Sequence, residues 1–309
     1  MFGLLKRSAA AKGRVGIAIG SDQLAFAVVR RESDGAPVLE RCEAMPFAQN
    51  ATPEAAGATL RALNLPRMPV SGVLRPEDYQ LALIEAPDVP PAELRAAMRW
   101  RLRDSIDFRV EDAVIDVFDV PAQSRGGQGR MMYAVAARRS SVDRQAALLA
   151  SLAALDVVDV PELCLRNLAG LLPTAANGVA MLHLGKSSAT VVLVRGTTFF
   201  FARQMNLNGG GDSGSAGQIN SESIILELQR SLDYYERHFD QPPITRIALA
   251  PVGAQAAALA ADLGEESGFE VEMLDLNQLM QCAAPLTEEL QSASLFAVGA
   301  ALRREHRSL

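Results

Sequence analysis

Two stretches of the chain share one pattern of apolar residues around a glycine. The apolar runs of residues 15–30 meet at Gly20, and those of residues 179–195 meet at Gly185. When Gly20 is laid on Gly185, the apolar positions of the flanking runs coincide. Short apolar runs joined by a glycine turn are typical of paired strands. A repeat separated by about half the chain predicts two related lobes that face each other.

Between the two repeats the pattern changes to that of a small subdomain. Apolar residues repeat every four positions over 91–106, which predicts an amphipathic helix that begins at a proline. The elements predicted around it are a strand at 79–85, strands at 113–120 and 131–137, and a helix that begins after Ser140 or Ser141. The order βαββα predicts a compact insertion into the first lobe.

The second repeat is followed by alternating helices and strands. The strongest helical pattern lies at 221–239, where apolar residues alternate spacings of three and four. Further predicted elements are a strand at 245–250, a helix at 253–263, a strand at 269–274 and a closing helix at 290–304. Alternation of this kind predicts an α/β fold.

Composition excludes several classes of protein. The chain has 309 residues, 49% of them hydrophobic, and a net charge of −6, which argues against nucleic-acid binding. Cys42, Cys164 and Cys282 lie far apart without metal-ligand spacing, and we interpret them as buried residues of a protein in a reducing compartment. No apolar run approaches the roughly 20 residues that span a bilayer.

The N-terminal segment 1–12 has two interpretations. Its apolar residues precede its charges, so it is not a signal peptide. It is either a flexible tail or a peripheral membrane contact in which Phe2, Leu4 and Leu5 enter the surface and the nearby basic residues meet anionic lipid.

Five short segments together resemble one protein family. The segments are MFGLLK at 1–6, GIAIGS at 16–21, MRWRLRDSIDF at 98–108, LQRSLDYY at 228–235 and VGAALR at 298–303. They resemble the actin-like ATPase superfamily, and within it the PilM-like proteins of type IV pilus assembly and their MshI relatives of the mannose-sensitive haemagglutinin (MSHA) pilus.

This resemblance implies a two-lobed actin-like (ribonuclease H-like) fold with the βαββα subdomain inserted in the first lobe. The implied division is a tail at 1–12, a first lobe at 13–71, 156–177 and 286–309, an inserted subdomain at 72–155 and a second lobe at 178–285.

The positions of the superfamily's catalytic acids carry other residues here. In the superfamily an aspartate two residues before each glycine turn holds magnesium through water. The matching residues are Ala18, which has no ligand atom, and His183, whose neutral imidazole is a poor magnesium ligand. The glycine pair expected near the adenosine is replaced by Pro251, Val252 and Gly253, and proline removes a backbone N–H. We therefore expect a degenerate member that has no catalytic residues and does not hydrolyse ATP.

Other residues of the expected nucleotide cleft leave alternatives open. The degenerate cleft would comprise Gly20, Ser21, Asp22, Gly185, Lys186, Ser187, Gly209, Gly210 and Gly253. Asp22 and Lys186 either contact phosphate or are exposed turn residues. His183 is either a ligand or base, or a hydrogen-bonded histidine at the cleft edge. No cofactor or metal is expected, although weak binding of ATP and magnesium stays open.

The helix at 91–106 carries a candidate partner site. Trp100 is the one tryptophan of the chain, and Arg99 and Arg103 flank it; Trp and Arg are favoured at interface hot spots. In PilM-like proteins the groove between the first lobe and the inserted subdomain receives the cytoplasmic tail of a bitopic membrane partner, PilN, or MshJ in the haemagglutinin system. The alternative is that Trp100 packs on its own subdomain and the arginines are solvated.

The resemblance implies a non-catalytic cytoplasmic scaffold at the inner face of the bacterial inner membrane, with a PilN/MshJ-type partner and no nucleic acid. Contact with the pilus motor ATPase and self-association are left open. The alternatives are an actin-like ATPase that acts as a nucleotide switch, a sugar-kinase-like transferase without its acidic base motif, and a secretion-platform protein of the GspL type. The last type continues into a transmembrane helix, which this sequence does not contain.

Overall fold

A computed structural model describes residues 13–32, 35–48, 51–122, 130–152, 155–185, 188–207, 221–250 and 254–305. These residues form three sheets. The first has the strand order β14-β3-β2-β1-β4-β8, the second β11-β10-β9-β12-β13 and the third β5-β7-β6. The strands of the first sheet are β1 (Gly13–Ile19), β2 (Gln23–Arg31), β3 (Pro37–Pro46), β4 (Val70–Val73), β8 (Leu155–Asp159) and β14 (Gln281–Cys282). Those of the second are β9 (Val179–Leu184), β10 (Ser188–Arg195), β11 (Thr198–Asn206), β12 (Arg246–Ala250) and β13 (Glu270–Met273), and those of the third are β5 (Tyr79–Glu85), β6 (Ala113–Asp119) and β7 (Met131–Arg138).

Helices pack on these sheets and between them. They are α1 (Pro53–Ala62), α2 (Leu94–Leu102), α3 (Arg139–Leu149), α4 (Pro161–Ala169), α5 (Ser221–His238), α6 (Ala254–Ser267), α7 (Leu276–Leu279) and α8 (Glu288–Ala301). Thr52 and Thr287 cap α1 and α8 with their side chains, which accept hydrogen bonds from backbone N–H groups of the first turn. No described helix is long and apolar enough to cross a membrane.

The predicted repeat is present in the pairing of the strands. The N–H of Gly20 donates to the carbonyl of Gln23 at 2.8 Å, and the N–H of Gly185 donates to that of Ser188 at the same distance. The shift that carries Gly20 onto Gly185 also carries every residue pair of β1–β2 from Arg14↔Val29 to Ile19↔Leu24 onto a pair of β9–β10. The two hairpins therefore have one register.

The duplication extends to the neighbouring strands. β1 pairs in parallel with β4 over 15–18, and β9 pairs in parallel with β12 over the equivalent residues 180–183. A register shift lies between Val28 and Val29 of β2 and between the equivalent Leu193 and Val194 of β10. Five strands of the first sheet thus match the whole second sheet, and the expected two-lobed actin-like fold is confirmed.

The largest hydrophobic core lies between the two lobes. It joins buried residues of β2 and β9 with those of α4 and α8, and includes Val29, Met181, Leu165 and Val298. The backbone of α8 approaches β1 so closely that a Cβ at Gly16 would lie 1.9 Å from the carbonyl oxygen of Ala297. The packing of α8 on β1 therefore requires glycine at position 16.

The inserted subdomain is the third sheet with α2 on one face. Met98 and Leu102 of α2 are fully buried against that sheet. The subdomain is joined to the first lobe where the Tyr79 hydroxyl donates to Glu162 Oε2 at 2.6 Å. It is joined to the second lobe where the N–H of Ala202 donates to the Tyr133 hydroxyl at 3.0 Å. Both lobes therefore hold it.

Sheet pairing corrects the predicted domain bounds. β4 and β8 belong to the first sheet, and α3 packs on α1 in the first lobe, so the inserted range 72–155 is too wide at both ends. β14 pairs with β3 of the first sheet, so the second lobe ends before 281 and not at 285. A two-residue strand carries too little pattern to be predicted, because its partner is distant in the sequence.

Two predicted helices also have different bounds. The helix predicted at 91–106 is regular only over α2, because Pro91–Glu93 forms a 3₁₀ turn and the chain leaves the helix after Leu102. The closing helix predicted at 290–304 begins at Glu288, after its threonine cap, and ends at Ala301.

Gly16→Ala is expected to destabilise the protein by about 3 kcal/mol or more, because the new methyl group collides with the α8 backbone and not with a flexible side chain. Gly264→Ala is the matched control: its Cβ would meet nothing within 4 Å, and alanine favours the helix. Urea unfolding of both variants measures the difference. Equal stabilities would contradict the packing of α8 on β1.

Candidate functional site

The two glycine turns are preserved as turns, with different steric demands. A Cβ at Gly185 would lie 2.9 Å from the carbonyl oxygen of Ser188, whereas a Cβ at Gly20 would lie 3.5 Å from that of Gln23. Close approach of the backbone therefore explains the glycine at position 185 but not the glycine at position 20. The other predicted cleft residues of the second lobe lie outside the described residues: Lys186, Ser187, Gly209, Gly210, Pro251, Val252 and Gly253.

The first turn presents polar residues to solvent. Ser21 and Asp22 are exposed, and the Ser21 hydroxyl donates to Asp22 Oδ1 at 3.2 Å. The carbonyl of Asp22 accepts the N–H of Phe47 at 2.9 Å, which fixes the turn against the end of β3. These contacts are those of an exposed turn, and the phosphate role of Asp22 stays a prediction.

An aromatic side chain of α8 lies beside the substituted acid positions. The rings of His183 and Phe296 have centroids 4.7 Å apart. Ala18 and Phe296 pack on the same small cluster, formed by Val73, Cys164 and Ala300. The space where the superfamily holds a hydrated metal ion is therefore bordered by apolar side chains.

His183 is held in its neutral form. Burial lowers its pKa to about 4. The contact found for its ring among the described residues is packing on Phe296, and the interpretation as a hydrogen-bonded histidine stays a prediction.

Magnesium does not fit the residues present. Neither Ala18 nor His183 supplies the anionic oxygen that this ion prefers. Across the described ranges, no group of three or more His, Cys, Asp or Glu side chains is placed to hold a metal. No catalytic step through a metal-bound nucleotide is derived for these residues.

The main groove lies elsewhere, between the inserted subdomain and the first lobe. It has a volume of about 1120 Å³ and runs between the third sheet and β8. Its floor is apolar and is formed by Leu74, Val114, Val135, Ala137, Val142 and Leu163. Alternation along β6 directs Ala113 and Ile115 toward α2 and leaves Val114 on the opposite side, whereas Val117 contacts both the α2 cluster and the groove.

Ion pairs line the groove. Seven of its lining residues are acidic and three are arginines. Arg303 forms an ion pair with the buried Asp159 at 2.7 Å. Arg14, which does not line the groove, forms an ion pair with Asp156 at the same distance. Among the described residues, Asp88 is the lining acid without an ion pair. The other six lining acids are paired with arginines, so Asp88 carries the excess negative charge of the groove.

A second cavity of about 440 Å³ continues the groove toward the second lobe. It shares Phe118, Leu163 and Arg303 with the main groove and reaches the β10–β11 turn at 197–199. The rings of Phe118, Tyr133 and Phe199 pack there with centroids 5.3–5.4 Å apart. The groove therefore borders the contact between the inserted subdomain and the second lobe.

The predicted partner residues do not line this groove. The Arg99 guanidinium donates to the carbonyl of Val110 at 2.6 Å, and Arg103 is exposed. Trp100 is 73% exposed, so the alternative that it packs on its own subdomain is wrong. The partner role of these three residues stays a prediction.

Sequence reasoning missed two residues of the same helix that do line the groove. Leu94 and Arg101 are seven positions apart and share one face of α2. The spacing was available in the sequence, but the direction of that face depends on packing between distant segments.

A buried carboxyl group fixes one wall of the groove. Glu162 at the start of α4 is 4% exposed, and burial raises its pKa. It accepts the Tyr79 hydroxyl and so connects the first lobe to the first residue of β5. A buried polar group that lacked this partner would be costly, so the pair restrains the subdomain's position.

These features define an α/β protein of the actin-like fold: two duplicated sheets, a closing helix between them and a subdomain inserted in the first lobe. No protein-family model matches the chain, and the comparison with curated proteins also gives no match.

Solved structures share this fold. The structure described as the PilM-PilN type IV pilus biogenesis complex matches with a TM-score of 0.70 and 21% identity, over 95% of this chain and 98% of that chain. A Bacteroides thetaiotaomicron protein with an actin-like ATPase fold and unknown function matches with a TM-score of 0.53 and 10% identity, over 95% and 99% of the two chains. The cytoplasmic domain of EpsL from Vibrio cholerae matches with a TM-score of 0.49 and 12% identity, over 95% of this chain and 96% of that chain. The expected PilM-like, actin-like architecture is confirmed.

His183→Gln is expected to flatten the acid side of the stability profile. The pKa of about 4 in the folded state lies below the ordinary 6.5, so the unfolded chain takes up the proton first as the pH falls. The stability associated with neutral His183 is fully present above pH 6.5 and is lost between pH 6.5 and about 4, by up to about 3 kcal/mol. Urea unfolding of both proteins at pH 7.0, 5.5 and 4.5 measures it. A constant difference between them would contradict the neutral, partly buried ring.

Proposed function

We propose that this chain is a non-catalytic scaffold of the inner-membrane assembly platform of a type IV pilus, or of a related secretion machine. It binds the cytoplasmic tail of a bitopic partner of the PilN/MshJ type in the groove between the inserted subdomain and the first lobe. The partner's membrane segment would hold the scaffold at the inner face of the membrane.

The groove carries this proposal. It combines a volume of about 1120 Å³ with an apolar floor, and it opens along β8, an edge of the first sheet. A concave site that combines apolar surface with polar groups is the usual form of a peptide or ligand site. The likeness to the PilM-PilN complex over nearly the whole of both chains supports a partner of that class.

The absence of catalysis is part of the proposal and has its own support. Hydrolysis on an actin-like fold needs oxygen ligands for magnesium, whereas Ala18 and His183 border the aromatic ring of Phe296. Loss of one catalytic contact typically costs a factor of a hundred or more in rate. Neither of these two positions therefore supplies a group to position the hydrolytic water.

A nucleotide switch is the second candidate. The observation that favours it is the preserved duplication of the turns at Gly20 and Gly185, which keeps the backbone of a nucleotide clamp. Calorimetry with ATP and magnesium separates the two functions, since micromolar binding would favour the switch.

Val114→Trp is expected to weaken tail binding at least tenfold, because the new ring fills the floor of the groove. The probe is a labelled synthetic peptide of the cytoplasmic tail of the PilN-type protein from the same organism, and fluorescence anisotropy gives the dissociation constant. Trp100→Ala is the matched control: it removes an exposed side chain outside the groove and is expected to leave the affinity unchanged.

The two variants contradict different hypotheses. Reduced affinity of Trp100→Ala with normal affinity of Val114→Trp would place the partner on the exposed face of α2 that carries Trp100, one of the three predicted partner residues. Thermal unfolding of both variants shows whether either one acts through misfolding.

Release of phosphate from ATP and magnesium is expected to stay at the level of a protein-free blank, because no carboxylate lies at either metal position. Gly185→Val is the control, since it collides with the turn through Ser188. Activity that persists in that variant belongs to a contaminant. Activity in the wild type that is lost in the variant would overturn the non-catalytic assignment.

A further inference from the structure

We propose that the occupant of the groove binds as an added β-strand on the outer edge of β8, so that its main chain is recognised as well as its side chains. This inference rests on the proposed function and specifies the chemistry of the partner: an extended segment with free backbone N–H groups, apolar residues at alternate positions and a basic group.

The lining of the groove shows that β8 presents its edge. Six consecutive residues, from Leu155 to Val160, line it. Side chains alternate between the two faces of a sheet, so a groove that lay on one face would be lined by every second residue. Consecutive lining residues mean that the backbone itself borders the groove.

The direction of the backbone groups follows from the pairing with β4. β8 is the last strand of its sheet and pairs with β4 alone among the described strands. The carbonyl of Asp159 accepts the N–H of Leu74 at 2.9 Å, so the backbone of Asp159 faces β4. Adjacent residues of a strand direct their backbone groups to opposite sides, so the N–H and C=O of Val158 face the groove.

Two other edge N–H groups along the groove are already occupied. On β6, across the groove, the N–H of Val117 donates to its neighbour Asp116 Oδ1 at 3.1 Å. At the end of β8, the N–H of Val160 donates to Asp159 Oδ1 at 3.0 Å. Side-chain caps of this kind blunt an edge against further pairing. The open stretch is therefore short and centred on Val158.

The residues that line the groove indicate which side chains the added strand carries. The apolar residues below β8, including Leu74, Ala137 and Leu163, receive the side chains on one face of the strand. The excess negative charge at Asp88 favours a basic side chain or a terminal ammonium beside it. Strand addition of this type obtains affinity from main-chain hydrogen bonds and specificity from alternate side chains.

The first test changes only the backbone of the ligand. Single N-methyl groups are placed at successive residues of the tail peptide described above, and each dissociation constant is measured with the wild-type protein. We expect affinity to fall about tenfold or more at alternate positions within the bound segment, because only every second N–H of an added strand points at β8. Equal affinities for all the N-methyl peptides would overturn the proposal.

The second test changes only the edge of the protein. Val158→Pro removes the N–H that faces the groove, at a place where an edge strand tolerates proline. Val158→Ala keeps the N–H and removes two methyl groups, so it measures the loss of side-chain contact alone. We expect at least tenfold weaker binding by the proline variant than by the alanine variant, with similar thermal stability. Equal binding by the two would overturn the role of Val158, and the N-methyl series decides the case if the proline variant fails to fold.

The failure of this inference is distinguishable from that of the proposed function. If the unmodified peptide does not bind the wild-type protein, the assignment of the groove to a PilN-type tail fails and the strand with it. If it binds and is indifferent to N-methylation and to Val158→Pro, the groove keeps its partner and only strand addition is wrong.

Discussion

The packing of α8 against β1 is the contact on which the arrangement of the two lobes depends. Gly16 lets the backbone of Ala297 lie against the strand, and Gly299 lets the same helix lie against the backbone of Cys164 in α4. Small residues on both sides bring the helix close enough to join the two sheets in one core. Closely packed protein interiors transmit the displacement of one element to its neighbours. A change in α8 would therefore be felt in both lobes.

The same packing accounts for what lies at the degenerate cleft. With α8 this close to β1, Phe296 extends toward the second lobe and meets the ring of His183. An aspartate in place of His183 would put a charge against an aromatic face, and burial of an unpaired charge is costly. An apolar neighbour and an acidic ligand exclude each other here. The loss of the acids and the position of the ring are thus two aspects of one arrangement.

How much could be predicted from the sequence follows from the range of the interactions involved. The repeat around Gly20 and Gly185 was predictable to the residue, because strand register depends on local alternation and on a turn of fixed length. The groove was not predictable in the same way. Its lining depends on which face of α2 turns inward and on β8 being an edge, and both depend on segments distant in the sequence. Thus Trp100 could be selected by its residue type. Val158 is a common strand residue, and it differs from its neighbours in β8 only in the direction of its backbone N–H and C=O.

The inserted subdomain relates the groove to the rest of the molecule. It is joined to the first lobe through Tyr79 and Glu162 and to the second lobe through Tyr133 and Ala202. A ligand between β8 and the third sheet would contact Leu163, the neighbour of Glu162, and Phe118, which stacks on Tyr133. Ligand contacts that form only when both joints are closed would stabilise the closed arrangement in proportion to their free energy. If the proposed strand binds at the edge of β8, its backbone would act as the nucleotide does between the glycine turns of an actin-like clamp, as the ligand that fixes the relation of two lobes.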